Sequence, residues 1–301
     1  MEAGLTIALP LLLAPLLLSV VNRTKALIAG RTGQPLLQPY HDVFKLLRKG
    51  AVYSRTTTWV FRAGPMIGFA AVLVATAFVP LGGAPAALAF PGDLILVAYL
   101  LGLMRFFTVL AALDTGSSFE GMGASREVSF AALAEPTLLL GLAGVARQTG
   151  SLSLSTMYAG IGTAAWTHAG PALALLAAAL LIVLLAENAR IPIDDPTTHL
   201  ELTMIHEVMV LDHSGPDLAF ILYGSALKLW LLGALLVGIV VPVRCGIVWI
   251  DTLATLAGLF ALAVGIGLIE SSMARWRLLR VPQLLVGAGA LATLALALML
   301  R

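Results

Sequence analysis

Residues 187 to 217 read ENARIPIDDPTTHLELTMIHEVMVLDHSGPD and hold seven of the chain's 16 acids and three of its five histidines, with one arginine. Acids and imidazoles gathered this densely suit proton transfer, because histidine titrates near neutral pH and surroundings tune carboxylates. Asp195 as N-cap and Pro196 as first helical residue predict a helix over 196–211. On it His199, Thr203, His206, Glu207 and Val210 fall on one arc, beside an apolar arc of Leu200, Met204, Val208 and Leu211. A helix so apolar is buried, and its polar stripe is expected to line an internal cavity. His199 and His206 are two turns apart, about 10.5 Å along the axis. That is too far to share an ion bonded at about 2.1 Å, and HEVMV lacks the second histidine of HExxH. No metal site is expected. Proton relay and simple packing both remain open readings of these histidines.

The elements that must position these groups are set by composition. The chain has 301 residues, is 59% hydrophobic and 11% charged, and has a mean hydropathy of +0.98, which marks an all-α integral membrane protein. A span needs about 20 mostly apolar residues, and eight blocks qualify: 3–21, 64–80, 93–113, 128–146, 169–186, 218–241, 247–270 and 282–300. Connections are short, so a single polytopic domain over 1–301 is expected. The first block carries Glu2 ahead of its apolar run, not a basic residue, and is expected to be retained instead of cleaved.

Lys and Arg set the orientation. With eight spans, 13 basic residues fall on the side of loops 22–63, 114–127, 187–217 and 271–281, and three on the other. The basic side is therefore expected in the cytoplasm, with both termini outside. That topology accounts for the net charge of +2, so nucleic acid is not an expected partner, whereas the lipid bilayer is. Cys245 is the only cysteine, which excludes an internal disulfide and an iron–sulfur cluster ligated by this chain alone. No histidine lies deep in a span, so a haem held between spans is not expected.

Arg105, Glu135 and Lys228 lie inside apolar blocks, and a charge at the bilayer centre costs about 2.5–3.5 kcal/mol. Lys228 is roughly 15 Å into its span, and Arg105 and Glu135 each about 10 Å from the cytoplasmic end. Asp114, Glu187 and Glu270 mark the cytoplasmic ends of the third, fifth and seventh blocks. These groups either pair to lock the bundle or carry ions. Pro136 cannot donate to the carbonyl of Ala132, which loosens the helix beside Glu135. A further amphipathic helix is predicted from Pro39. Tyr40, Val43, Phe44, Leu46 and Leu47 form one face, and His41, Asp42, Lys45, Arg48 and Lys49 the other; it is expected to lie in the cytoplasmic interface.

Three stretches, AENARIPIDDPTTHLELTMIHEVMVLDHSG, QPLLQPYHDVFKLLRKGAVYS and LDTGSSFEGMGASREVSFAALAEP, closely resemble the membrane subunit of formate hydrogenlyase and related energy-converting NiFe hydrogenases. That subunit is homologous to subunit 1 of respiratory complex I. The resemblance covers essentially the whole chain and implies a membrane anchor under a soluble arm, in a bacterial or archaeal cytoplasmic membrane. Implied partners are NiFe hydrogenase large and small subunits, an iron–sulfur subunit and antiporter-like membrane subunits. Iron–sulfur clusters and the NiFe centre would sit in those partners, with no cofactor and no catalytic centre in this chain. Glu187, Arg190, Asp194 and Glu201 resemble the complex I loop acids and arginine, and Arg126 and Glu135, nine apart, its fourth-helix pair. Histidines at 199 and 206 and DHS at 212–214 stand where complex I typically has a differently spaced acidic run ending in EYS, which counts against a bound quinone. The candidate proton path or coupling set is Asp114, Arg126, Glu135, Glu187, Arg190, Asp194, Asp195, His199, Glu201, His206, Glu207, Asp212 and Lys228. The candidate partner surface or quinone-like cavity is Tyr40, Asp42, Lys45, Arg48 and Glu120.

Overall fold

The structure, a computed structural model, describes residues 2–194 and 204–300. In chain order its helices are α1 (Glu2–Ile28), α2 (Gln38–Leu47), α3 (Trp59–Thr76), α4 (Asp93–Asp114), α5 (Ser118–Thr149), α6 (Leu154–Ala159), α7 (Thr163–Glu187), α8 (His206–Met209), α9 (Gly215–Val240), α10 (Val248–Ser272) and α11 (Val281–Met299). Eight of them are long and apolar enough to cross a membrane: α1, α3, α4, α5, α7, α9, α10 and α11. No strand longer than a single bridge, Leu81 with Ala84, occurs among the described residues.

The helix ends follow local chemistry. Helix α3 starts where the Thr58 hydroxyl accepts from the Val60 N–H at 3.2 Å, and it stops at Thr76, short of the expected end at Pro80. Helix α5 begins at Ser118 and not near 128. Ten residues expected in a loop are helical, because hydropathy reports only the apolar part of a helix, and the polar first turns of α5, SFEGMGASRE, fall outside that signal. This places Glu120, Arg126 and Glu127 on a rigid element. Helix α7 bends at Ala169 (φ −123°, ψ 23°), two residues before Pro171, which cannot donate to the carbonyl of Thr167.

Helix α9 is the axle. In its apolar window 72% of residues are buried, against 28–44% in the other seven, and Trp230 and Leu231 are enclosed. It packs against α1, α2, α3, α7 and α10, while α11 lies against α5 and α7. Two glycines permit close approaches. A Cβ at Gly123 would stand 2.2 Å from Val208 Cγ1, so only glycine lets α8 lie on α5. Gly215 has φ +55° and its Cβ would meet the Gly50 carbonyl oxygen at 2.7 Å, which seats the start of α9 on the 48–57 loop.

The predicted helix over 196–211 meets a different outcome in its described part: only His206–Met209 is helical, and the chain turns at Val210. Met204 and Val208 are buried as the apolar arc requires, but Leu211 is 55% exposed. Packing into the angle between α4, α5 and the 190–194 loop admits one helical turn, and the tight turn that brings His213 under Phe61 ends it. Residues 195–203 of that prediction, with Asp195, His199 and Glu201, lie outside the described residues.

Candidate functional site: a buried charge cluster and its cavity

Four helices bring five charged side chains together. Arg105 sits twelve residues into α4 and its guanidinium fans out to three carboxylates. Nε stands 3.3 Å from Glu127 Oε1, Nη1 contacts Glu135, and Nη2 contacts both carboxylate oxygens of Glu187. Lys228 from α9 completes the group, its Nζ 2.8 Å from Glu187 Oε2. The planar guanidinium suits this, since its donors diverge in fixed directions. Formal charges number two positive against three negative. Glu187 is enclosed, whereas the Glu135 side chain is 47% exposed on the lateral surface of the bundle. Buried ions paid for only by each other are finely balanced, since desolvation rivals their attraction.

A second network borders the first. Glu270 of α10 pairs with Arg190 at 3.3 Å and Lys25 at 2.8 Å. Asp194 divides its oxygens: Oδ1 meets Arg275 at 2.9 Å, and Oδ2 accepts from the Ile205 and His206 backbone N–H groups at 3.1 and 3.3 Å. Asp194 therefore holds the entry to α8, where orphan N–H groups and the helix dipole favour a carboxylate.

Between α1, α9 and the stretches 188–194 and 206–213 lies a cavity of about 450 Å³. Leu18, Leu218, Ile221 and Leu229 form its apolar wall, and Arg190, Asp194, His206, Glu207 and His213 its polar end. Arg190 Nε and His213 Nδ1 are buried there without partners. The His213 ring stacks on Phe61, centroids 4.0 Å apart and planes at 10°, and burial lowers its pKa to about 4. Burial also lowers the pKa of His206. Both imidazoles are therefore neutral near pH 7.

The candidates from sequence divide accordingly. Glu135 and Glu187 meet through Arg105, Lys228 pairs with Glu187 directly, and Arg190, Asp194, His206 and Glu207 meet around the cavity. Arg126 donates to the Met204 carbonyl at 2.9 Å, tying α5 to the segment before α8. Asp114 lies apart: it accepts from the Thr58 N–H at 2.7 Å and the Thr58 hydroxyl at 2.8 Å, clasping the start of α3. Asp212 is exposed, and its N–H donates to the buried Glu120 at 3.3 Å. Tyr40 donates to the Leu12 carbonyl, Gln38 donates to Asp42 at 2.9 Å, and Arg48 lies over Phe44. Tyr40, Asp42, Lys45, Arg48 and Glu120 are absent from the cavity wall. Sequence reasoning marked Arg105 as a buried charge without placing it in the candidate set, and passed over Glu127. The available signals were that Arg105 and Lys228 are the two bases inside apolar blocks, and that Glu127 lies eight residues, about two turns, before Glu135. Among the described residues no group of three or more His, Cys, Asp or Glu is arranged to hold a metal ion.

Fold and site together define a multi-pass, all-α membrane protein built around an intramembrane charge network. Residues 3–300 match the family described as NADH dehydrogenase, and the chain belongs to that family. It is 32% identical over 277 residues to formate hydrogenlyase subunit 4 of Escherichia coli (strain K12), covering 88% of this chain and 87% of that protein. It is 33% identical over 232 residues to hydrogenase-4 component C of the same organism, covering 77% and 72%. Among solved structures, a chain of the membrane-bound sulfane sulfur reductase, an archaeal respiratory membrane complex, superposes with a TM-score of 0.81 at 23% identity, covering 99% of this chain and 98% of that one. This last likeness establishes the fold.

Proposed function

We propose that this chain is the membrane subunit of a complex I-related assembly of the hydrogenase or formate hydrogenlyase type, and that its Arg105 cluster couples electron transfer in a soluble arm to ion movement. Kinship with formate hydrogenlyase subunit 4 and hydrogenase-4 component C supports the first part. The arm, carrying iron–sulfur clusters and a NiFe centre, would sit on the basic, cytoplasmic side above the cavity, with both termini outside. Antiporter-like subunits would lie beside the bundle.

One observation carries the coupling role. Glu187 is shared between Arg105 and Lys228, and Arg105 also holds Glu127 and Glu135. Any displacement of Glu187 frees a cation on each side of it, and the imbalance reaches Glu135 at the lateral surface through one guanidinium. Electron arrival in the arm changes the charge next to the cavity, and the cavity's polar end adjoins this cluster through Asp194 and Ala189, which line both the cavity and the small void beside Glu187 and Glu127. Glu187→Gln and Glu135→Gln, each in the intact complex, should abolish ion pumping or halt turnover. Full hydrogenase activity with undiminished pumping in both variants would remove the cluster from the pathway.

The cavity itself favours a second reading, a quinone-site subunit of an NADH dehydrogenase. Its apolar wall and polar end would suit a hydrophobic molecule with hydrogen-bonding oxygens. Quinone-dependent turnover by the purified assembly would select that reading.

A further inference from the structure

We propose that the imidazole of His206 is the proton relay joining the cavity to the Arg105 cluster. The inference rests on the cluster being the coupling site and names how protons reach it. A small void bordered by Met104, Arg105, Thr108, Glu127, Met209 and Lys228 lies on the cluster side of α8, and His206 lines it as well. His206 also lines the 450 Å³ cavity. It is the one residue common to both walls among the described residues.

The ring is held from its backbone, not through its nitrogens. Asp194 Oδ2 accepts the His206 N–H at 3.3 Å, and the glycine at 123 lets the single turn of α8 press onto α5. The imidazole makes no hydrogen bond among the described residues, so both ring nitrogens are available. Burial keeps it neutral, with one nitrogen donating and the other accepting. Facing it are Glu127 from α5, Lys228 from α9, Arg105 from α4 and Asp194 from the loop. Of these, Glu127 is the carboxylate in the small void, and it has the longest of the contacts to Arg105.

The step balances without a redox partner. A hydronium in the cavity gives a proton to the free ring nitrogen, and the N–H on the opposite nitrogen gives its proton to a Glu127 oxygen. One N–H forms and one breaks, one O–H breaks and one forms, and the neutral ring is left as the other tautomer. Rotation of the ring restores the start. Among the described residues, none of the others around the small void, Met104, Arg105, Thr108, Glu127, Met209 and Lys228, also lines the cavity.

The test uses the intact complex in proteoliposomes, reading redox turnover and internal acidification together, with Glu187→Gln prepared in parallel. His206→Ala should lower pumping by about a hundred-fold, the scale of a lost acid–base group. Added imidazole, small enough for the cavity, should restore part of it and should not restore Glu187→Gln. His206→Gln, which fills the space but cannot carry a net proton, should also fail to pump and resist rescue; it serves as the readout if the alanine variant does not assemble. Parental pumping in an assembled His206 variant, with Glu187→Gln uncoupled, overturns the relay and leaves the cluster reading intact. Parental pumping in Glu187→Gln as well overturns the cluster reading. Loss in His206→Ala that imidazole does not relieve, with an unchanged pH profile of residual pumping, assigns a packing role and overturns the relay.

Discussion

The guanidinium of Arg105 grips Glu187 on α7 and Glu135 on α5 at the same time. Two helices are thereby joined through a residue of a third. Replacing Arg105 by Met takes the cation from Glu127 and Glu135 and leaves Glu187 with Lys228 alone, and breaking a buried pair from one side costs about 3–5 kcal/mol. The melting temperature of the solubilised complex should fall accordingly, and Glu127→Gln added to Arg105→Met should recover part of it. Arg105→Lys should retain more stability than Arg105→Met yet lose pumping, since one compact ammonium cannot reach three partners. A lysine variant that pumps like the parent would contradict the bridging role.

Gly123 sets the seat of α8. Gly123→Val drives side-chain atoms into the space already taken by Val208, an overpacking cost of about 1–3 kcal/mol. The expected signature is increased protease or hydrogen-exchange susceptibility around His206–Met209, with the eight long helices intact by circular dichroism. Unchanged protection there would argue that α8 docks by other contacts.

Asp114 was a candidate for ion coupling from its position, and the structure gives it a capping task. Asp114→Ala should cost about 1 kcal/mol, as loss of a helix cap does, and leave pumping intact. Uncoupling without a fall in melting temperature would return it to the ion path.

His213 makes stability pH-dependent. Its pKa falls from the ordinary 6.5 to about 4 through burial against Phe61. The folded chain therefore favours the neutral ring, while the unfolded chain binds a proton below pH 6.5. Its contribution is complete above that pH and declines as the pH drops toward 4. His213→Phe, which keeps a ring over Phe61, should flatten the variation of melting temperature between pH 6.5 and 4. Equal acid sensitivity in parent and variant would place the titrating group elsewhere.

Much of this architecture was legible because span-forming helices announce themselves by length and hydropathy, and each of the eight blocks overlaps one long helix. Boundaries were less readable where helices continue past the apolar zone, as α5 does from Ser118. The helix expected up to residue 211 depended on periodicity, which cannot see that one turn of space exists between α5 and the 190–194 loop. Lys228 was legible as a costly intramembrane charge and Glu187 as the cytoplasmic end of its span. Their direct pairing, and the sharing of Glu187 with Arg105, was not, because it depends on how four helices are rotated about their axes. Glu127 hid beside Arg126, in a stretch that hydropathy alone assigns to a loop.

Helix α9 is enclosed on so many sides, yet it is the sixth of the eight long segments to leave the ribosome. The five that precede it enter the bilayer without the wall they finally share, and Lys228 arrives after both Arg105 and Glu187 are already in place. Until α9 has been synthesised, the Glu187 carboxylate has only one of its two cations. Biogenesis of this subunit thus turns on a keystone set late in the chain, with only α10, which packs on it, and α11 left to follow.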